Sequence, residues 1–170
     1  GLEGTYSPYS YRKNNNLTGF EVDLGKAVAK KMGLKANFVP TKWDSLIAGL
    51  GSGKFDVVMN NITQTPERAK QYNFSTPYIK SRFALIVPAD SNIKSLKDIK
   101  GKKIIAGTGT NNANVVKKYK GSLTPNGDFA SSLDMIKQGR AAGTVNSREA
   151  WYAYSKKNST KGLKMIDVSS

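Results

Sequence analysis

The segment TPERAKQYNFSTPY, residues 65–78, contains the side chain best suited to binding an anion. Arg68 falls in the first turn of a short predicted helix, with Thr65 as its N-cap and Pro66 at the first helical position. A guanidinium beside the unpaired amides of a helix N-terminus suits a carboxylate, and Thr63 adds a hydroxyl and an amide. An arginine on the solvated surface of a short helix is the ordinary alternative, and the motif by itself leaves both interpretations open.

Two other groups are typical of sites for small molecules. Tyr6, Tyr9 and Tyr11 lie in YSPYSY near the N-terminus, and Trp43 begins a predicted helix. Their rings could hold the apolar part of a ligand or simply pack in the core. The Gly-rich turn AGTGTNN, residues 106–112, follows a predicted strand and begins a helix, so its amides could face an anion. It lacks the Gly-Lys-Ser/Thr ending of a P-loop.

The composition excludes several kinds of chemistry. The 170 residues include no Cys and no His, which rules out disulfides, a thiol nucleophile, a Ser-His-Asp triad and an imidazole-bound metal. We therefore expect neither a cofactor nor a metal. General acid–base catalysis has no evident carboxylate pair among Glu3, Glu21, Asp23 and Asp44. With 38% hydrophobic and 23% charged residues, the chain can still form a folded core.

The chain is strongly basic, with 27 Lys and Arg against 12 Asp and Glu and a formal net charge of +15. Residues 1–90 carry 12 basic and 7 acidic side chains, a net of +5, and residues 91–170 carry 15 and 5, a net of +10. The excess lies in Lys-rich segments typical of a solvated surface, namely KSLKDIKGKK, VVKKYK and SKKNSTKGLK. No base-stacking element accompanies them, so nucleic acid is not an expected partner.

Apolar spacing alternates between helix and strand along the whole chain. A first long helix is predicted with an apolar face made of Phe20, Leu24, Ala27, Val28 and Met32. Strands are predicted at KANFVP, FDVVMN, RFALIVP, KKIIA, GTVN and LKMIDV. Further helices are predicted at WDSLIAGLGSG, TPERAKQ, SLKDIKG, GTGTNNANVVKKY, FASSLDMIKQG and SREAWYAYSKK. This order predicts an α/β fold with largely parallel sheets, whose ligands bind beyond the carboxyl ends of the strands.

The order of these segments resembles one family over essentially the whole chain. The segments are GTYSPYSY, LTGFEVDL, PTKWDSLIAGL, FDVVMN, TPERAKQYNFSTPY, SLKDIKGKKI, GTGT and GRAAGTVNSREA. They are similar to the periplasmic-type (family 3) extracellular solute-binding proteins of polar amino-acid ABC transporters, and PTKWD with the TPER block looks most like the cystine-binding branch. The resemblance implies a type II periplasmic-binding-protein fold, in which each of two lobes is a small, mostly parallel sheet flanked by helices.

The resemblance also implies an organisation and a setting. Lobe 1 would span residues 1–84, a hinge or crossover residues 85–92, and lobe 2 residues 93–170. The lobes would close about the hinge on cystine or another polar amino acid, and a membrane permease would recognise the closed form. The protein would not be an enzyme, and it would be periplasmic or extracellular, lipid-anchored at the cell surface in a Gram-positive organism.

Carried over position by position, the resemblance implies a set of ligand contacts. Arg68 would bind the ligand α-carboxylate with Thr63 and the backbone at Asn61, while Tyr6 and Trp43 would flank the ligand. The second lobe would add amides of the Gly-rich turn, at Gly109, Thr110 and Asn111.

One position departs from the family pattern. The family presents an Asp where this chain has Ser147, and Ala142 replaces an acidic residue that usually follows Arg140. A neutral hydroxyl cannot give the charge-assisted hydrogen bond that recognises an ammonium group. Either Glu149 or another carboxylate substitutes, or the ligand is not an ordinary α-amino acid.

The ends of the chain also differ from the family. Relative to it, this sequence lacks a leading strand and a return crossing with terminal helices, so it resembles a version truncated at both ends. We expect exposed sheet edges and apolar surface in lobe 1, with domain swapping or self-association as a consequence. Two other function classes stay open: a basic cell-surface adhesin for matrix or anionic partners, and an enzyme such as a dehydratase on the same fold.

Overall fold

The computed structural model describes residues 1–168, so the last two residues of the predicted second lobe, 169–170, lie outside the described part. The first half, which we define as residues 1–82, contains a hairpin and three helices: β1 (Tyr11–Lys13), β2 (Asn16–Thr18), α1 (Phe20–Lys31), α2 (Trp43–Gly51) and α3 (Pro66–Ala69). The second half, residues 83–168, contains β3 (Phe83–Pro88), a 3-10 turn (Leu96–Ile99), β4 (Lys103–Ala106), α4 (Asn111–Lys118), β5 (Ser122–Pro125), α5 (Phe129–Lys137), β6 (Gly143–Ser147), α6 (Arg148–Lys157) and β7 (Leu163–Asp167).

A five-stranded sheet of order β5-β4-β6-β3-β7 organises the second half. β4 pairs in parallel with β5 and β6, whereas β3 pairs antiparallel with β6 and β7. The predicted α/β fold is confirmed, and the sheet is mixed rather than largely parallel. A strand buried on both faces shows the same apolar run whichever way it points, so the sequence pattern could not indicate the direction of β3.

Both faces of this sheet are covered. Along β3, Ala84 and Ile86 face one apolar cluster, which includes Leu133 of α5, while Leu85 and Val87 face the other. The four β3 side chains and Leu133 are all completely buried. The second half therefore has a continuous core on each side of its sheet, and β3 is part of that core.

Strands predicted at residues 35–40 and 55–60 do not form, and those two predictions were wrong. Residues 1–4 instead lie between these segments: the Leu2 amide donates to the Val39 carbonyl over 3.4 Å, and the Met59 amide donates to the Gly1 carbonyl over 3.0 Å. A segment of four residues offers only one or two bonds to each neighbour, which is too few for a continuous ladder.

The buried side of α1 also differs from the predicted one. The helix forms, but Phe20, Val28 and Met32 of the predicted apolar face are 45%, 42% and 66% exposed. Its fully buried residues are Glu21 and Val22. Helical spacing shows that an apolar stripe exists, but only tertiary contacts decide which side of the helix is covered. Within residues 1–168 no helix has the length and apolar character needed to cross a membrane.

Candidate functional site

Arg68 lies where the two halves of the chain meet. Thr65 caps α3 and accepts from the Arg68 amide over 3.2 Å, and Pro66 occupies the first turn, so the predicted cap is confirmed. In the Arg68 guanidinium, Nη1 donates to the Thr63 carbonyl and Nη2 donates to the Gly109 carbonyl, each over 2.8 Å. These bonds use two of the five N–H donors of a guanidinium, which leaves capacity for a carboxylate.

Trp43, the first residue of α2, lies beside Arg68. The Arg68 Cζ atom is 5.7 Å from the centroid of the Trp43 ring, which is within the range of a cation–π interaction. Its indole Nε1 donates to the Thr108 carbonyl over 2.8 Å. Trp43 and Arg68 thus reach consecutive carbonyls of the Gly-rich turn, and the structure brings together three elements that the sequence singled out separately.

The Gly-rich turn presents carbonyls rather than amides to the first half. Gly109 has a φ of 73°, a left-handed value that glycine adopts without strain. Thr110 caps α4 by accepting from the Ala113 amide over 3.0 Å, and its own amide donates to the Gly107 carbonyl over 3.2 Å. Asn111 is the first residue of α4. The ligand contacts expected from the amides of this turn stay predictions.

A second contact between the halves forms around Tyr6. The Tyr6 hydroxyl donates to Asn146 Oδ1 over 2.6 Å and lies 3.1 Å from Ser147 Oγ. Burial raises the pKa of Tyr6 well above its usual range, so the phenol is a neutral donor at physiological pH. Asn146 was missed by the sequence analysis, although it directly precedes the flagged Ser147 at the end of β6.

Ser147 has a structural role as the N-cap of α6. Its Oγ accepts from the Ala150 amide over 3.1 Å, and the residue is buried. Serine and aspartate are comparable N-cap residues, so the helix itself does not require an acid here. Within residues 1–168, the recorded partners of the Tyr6 hydroxyl and of Ser147 Oγ include no carboxylate.

Two neighbouring residues add charge and packing to this end of the site. Tyr9 is buried, with its ring centroid 5.1 Å from that of Tyr6; burial, helped by the Glu149 carboxylate, raises the pKa of Tyr9 to about 12. Glu149 also acts on Tyr6, and its Oε2 accepts from Ser81 Oγ over 2.8 Å. Tyr9 therefore packs against Tyr6 at this end of the site. Glu149, in the first turn of α6, is an acidic side chain whose charge acts on both tyrosines.

Loop 60–65 carries Asn61 and Thr63 and is tied to the rest of the first half by two acids, the half-buried Glu3 and the buried Glu21. The Asn60 side chain accepts from the Glu3 amide and donates to Glu3 Oε2, both over 2.8 Å. Asn61 has a left-handed φ of 51°, and its amide donates to Glu21 Oε2 over 2.6 Å. Glu21 was not among the site residues predicted from the sequence. The feature that could have indicated it is an acid between the apolar Phe20 and Val22 at the start of a helix.

Two proteins described as amino-acid-binding components of transporters or as cystine-binding match almost the whole of this chain. It is 40% identical over 167 residues to a probable amino-acid ABC transporter-binding protein of Haemophilus influenzae, covering 97% of this chain and 65% of that protein. It is 40% identical over 169 residues to the L-cystine-binding protein TcyA of Bacillus subtilis, covering 97% of this chain and 62% of that one. The chain thus spans slightly less than two thirds of the length of either relative.

Solved structures show the same fold. An ancestral arginine-binding protein bound to arginine superposes with a TM-score of 0.90 at 36% identity, covering 99% of this chain and 78% of the other. The L-cystine solute receptor of Neisseria gonorrhoeae in an unliganded open conformation gives 0.61 at 41% identity, covering 99% and 72%. This chain therefore superposes better on the arginine-bound protein than on the unliganded open receptor.

These likenesses confirm the predicted type II periplasmic-binding-protein fold. The model of one protein family matches residues 1–168, which is the whole of the described chain. The protein belongs to the bacterial extracellular solute-binding proteins, family 3.

Proposed function

We propose that this chain binds a small amino acid as the substrate-binding component of an ABC import system. The observation that carries the proposal is the position of Arg68, whose guanidinium lies between the two halves with donors to spare. Family membership and two relatives described as amino-acid-binding proteins support it. The ligand carboxylate would accept from the remaining Arg68 donors, with Thr63 and the backbone at Asn61 beside it.

The rest of the ligand would lie between aromatic and polar groups of both halves. Trp43 and Tyr6 would flank it, and Asn146 with Ser147 would accept hydrogen bonds from its ammonium group. The Gly-rich turn, at Gly109, Thr110 and Asn111, would close the site from the second half. Since the contacts between them join both halves, closure would move the first half (residues 1–82) against the second (residues 83–168). Because β3 belongs to the core of the second half, the bend would fall before Phe83 rather than within the expected hinge at residues 85–92.

We propose cystine or another polar amino acid as the ligand. Relatives of this chain are described as binding L-cystine and arginine. An ammonium group would meet the neutral oxygens of Asn146 and Ser147, with the Glu149 carboxylate acting over a longer distance. Such a site would bind the ammonium more weakly than one with a carboxylate in direct contact, because neutral oxygens accept its hydrogen bonds but add no attraction between opposite charges.

We also propose that the protein is a binding protein that acts outside the cell's cytoplasm together with a transporter. Binding by shape and charge requires no catalytic group, so we propose that the protein is not an enzyme. It would act outside the cytoplasmic membrane, in the periplasm or lipid-anchored at the cell surface, and would deliver its ligand to a membrane permease.

A thermal-shift screen of the purified protein against the twenty amino acids and L-cystine tests the proposal. A ligand at a hundredfold excess over its Kd should raise the melting temperature by roughly 5 to 10 °C, because it binds only the folded state. Arg68→Ala should abolish the shift. Arg12→Ala is the matched control, since Arg12 is exposed and donates only to the nearby Asn15 carbonyl among its recorded contacts. A folded protein that no amino acid stabilises would contradict the proposal.

A further inference from the structure

Glu21 is a buried acid without a cationic partner. It is 0% exposed on α1, between the exposed Phe20 and the buried Val22. The salt bridge recorded in residues 1–168 joins Arg148 and Asp167, and Glu21 takes part in none there. Because removing a carboxylate from water is costly unless its charge is compensated, a buried and unpaired Glu21 needs strong hydrogen-bond donors.

The donors come from two segments on either side of α3. The Asn61 amide donates to Glu21 Oε2 over 2.6 Å, and the Tyr78 hydroxyl donates to the same oxygen. The other oxygen, Oε1, is buried and has no partner among the described residues. Glu21 therefore connects α1 both to loop 60–65, which precedes Arg68, and to the STPY segment, which follows it.

The bond to Asn61 acts at an unusual point of the loop. A left-handed φ of 51° is uncommon for a residue with a side chain, although Asn adopts it more readily than most, and the bond from the Asn61 amide to Glu21 helps to hold the loop in this conformation. Two residues later, the Thr63 carbonyl accepts from Arg68 Nη1 over 2.8 Å. The contacts form a continuous series from Glu21 through Asn61 and Thr63 to the Arg68 guanidinium.

We propose that Glu21 is a positioning residue for ligand binding, whose carboxylate fixes loop 60–65 and thereby orients Arg68 toward the ligand carboxylate. This inference rests on the proposed function of Arg68. Glu21 would make no contact with the ligand and would act only through its bond to the Asn61 amide. Asp23, two residues further along α1, is exposed and makes no such contact in the described residues, which makes it a matched control.

The protonation of Glu21 gives the proposal a distinct signature. Burial raises the pKa of Glu21, while the Tyr78 and Asn61 donors lower it and the Glu3 carboxylate raises it. The Glu21 charge also acts on two phenols, Tyr9 and Tyr78. The pKa values of both are raised, so both stay neutral below pH 8. Protonation turns a charge-assisted bond to Asn61 into a weaker neutral one. A zwitterionic ligand has no net charge, so direct attraction and repulsion by Glu21 largely cancel, and the effect passes through the loop.

Isothermal titration with L-cystine and L-glutamine, both zwitterions without net charge, between pH 5 and 8 measures this effect. At pH 7.5, Glu21→Gln should weaken binding by about three- to tenfold, and Asp23→Asn should leave it within about twofold. Wild-type affinity should fall as the pH decreases through the raised pKa, whereas Glu21→Gln should show a flat profile. Tyr78→Phe removes a donor that favours the ionised form, so it should move the midpoint to higher pH.

The Asn61 amide resonance in NMR spectra provides a second readout. It should titrate with the same midpoint as the affinity and stop titrating in Glu21→Gln. If Glu21→Gln does not fold, Tyr78→Phe and the wild-type profile decide the question. A pH dependence of the affinity that persists unchanged in Glu21→Gln would overturn the proposal and point to Glu3, whose pKa is also raised by burial. Wild-type affinity in that variant with an unchanged Asn61 amide would overturn it as well. If no amino acid of the thermal-shift screen binds the wild type, the proposed function fails, and the amide titration still decides whether Glu21 holds the loop.

Discussion

The two halves of the chain are held together in different ways. The second half surrounds a five-stranded sheet with two apolar clusters, and β3 contributes side chains that are completely buried on both faces. The first half has a two-stranded hairpin, and its long helix α1 buries an acid where the second half buries leucine and isoleucine. Its loop 60–65 is fixed by hydrogen bonds to the half-buried Glu3 and the buried Glu21.

The difference separates stability from recognition. Apolar burial is non-directional and stabilises the second half as a body. Hydrogen bonds are directional, so they can place individual groups, and those of the first half place Asn61, Thr63 and Arg68. The second half then presents carbonyls of the Gly-rich turn to Trp43 and Arg68. Substitutions should therefore change stability in one half and ligand binding in the other.

The largest expected effect is on the core of the second half. Leu133→Ala empties a fully buried position between α5 and the sheet and should lower the free energy of unfolding by about 3 kcal/mol. Val28→Ala in the first half removes a side chain that is 42% exposed and should cost less than about 0.5 kcal/mol. Urea unfolding of both variants checks the contrast, and equal losses would contradict it.

Two of the hydroxyl N-caps, Thr65 in the first half and Ser147 in the second, offer a matched comparison. Ser147→Ala removes the cap of the ten-residue α6 and the contact to Tyr6, so it should lower the free energy of unfolding by about 1 kcal/mol. Thr65→Ala removes the cap of the four-residue α3, which buries no side chain, so stability should change little. Thr65→Ala should instead weaken amino-acid binding, since the cap holds the Arg68 backbone. Thermal melts and titrations of both variants would contradict the comparison if these effects were exchanged.

A smaller effect is expected at Trp43. Trp43→Phe keeps a ring beside Arg68 but removes the Nε1 donor to the Thr108 carbonyl, so ligand affinity should fall by about three- to fivefold. Stability should stay nearly constant, because Trp43 lies outside both apolar clusters. Titration calorimetry combined with urea unfolding checks this, and a loss of stability without a loss of affinity would place Trp43 in the core instead.

The smallest effect concerns the pH dependence of stability. Because the pKa of Glu21 is raised by burial, its protonated form favours folding, and this contribution is lost as the pH rises from about 4.3 through the folded-state pKa. The melting temperature of the wild type relative to Glu21→Gln should therefore decrease over that interval. Melts at closely spaced pH values measure the difference; a difference that grows with pH would show that Glu21 has a lowered pKa.

The sequence predicted the second half better than the first. Apolar runs located β3, β4 and β6, because a strand buried on both faces has a strong local pattern. The edge strand β7 was also located, from the run LKMIDV, although most of its residues are only half-buried. The edge strand β5, Ser122–Pro125, was missed, since it is short, ends in proline and buries little. In the first half, the run at residues 55–60 has the same apolar pattern but no ladder, and Val57 is 61% exposed.

The candidate site was also predicted only in part: features with a local sequence pattern were found, and contacts between distant segments were not. Helix-capping signals around Thr65 placed Arg68 at the start of α3, and the family resemblance indicated its partners. Contacts between distant segments left no local signal: Glu21 meets Asn61 across 40 positions, and Tyr6 meets Asn146 across 140. Those contacts depend on how the helix turns and how the halves meet, which spacing along the chain does not encode.

A crystal structure of the protein with the amino acid that most stabilises it tests the central claim most directly. We predict a ligand carboxylate within about 3 Å of the Arg68 guanidinium nitrogens, with loop 60–65 on one side and the Gly-rich turn on the other. A carboxylate that makes no contact with Arg68, or a ligand bound outside the region between the halves, would contradict the account.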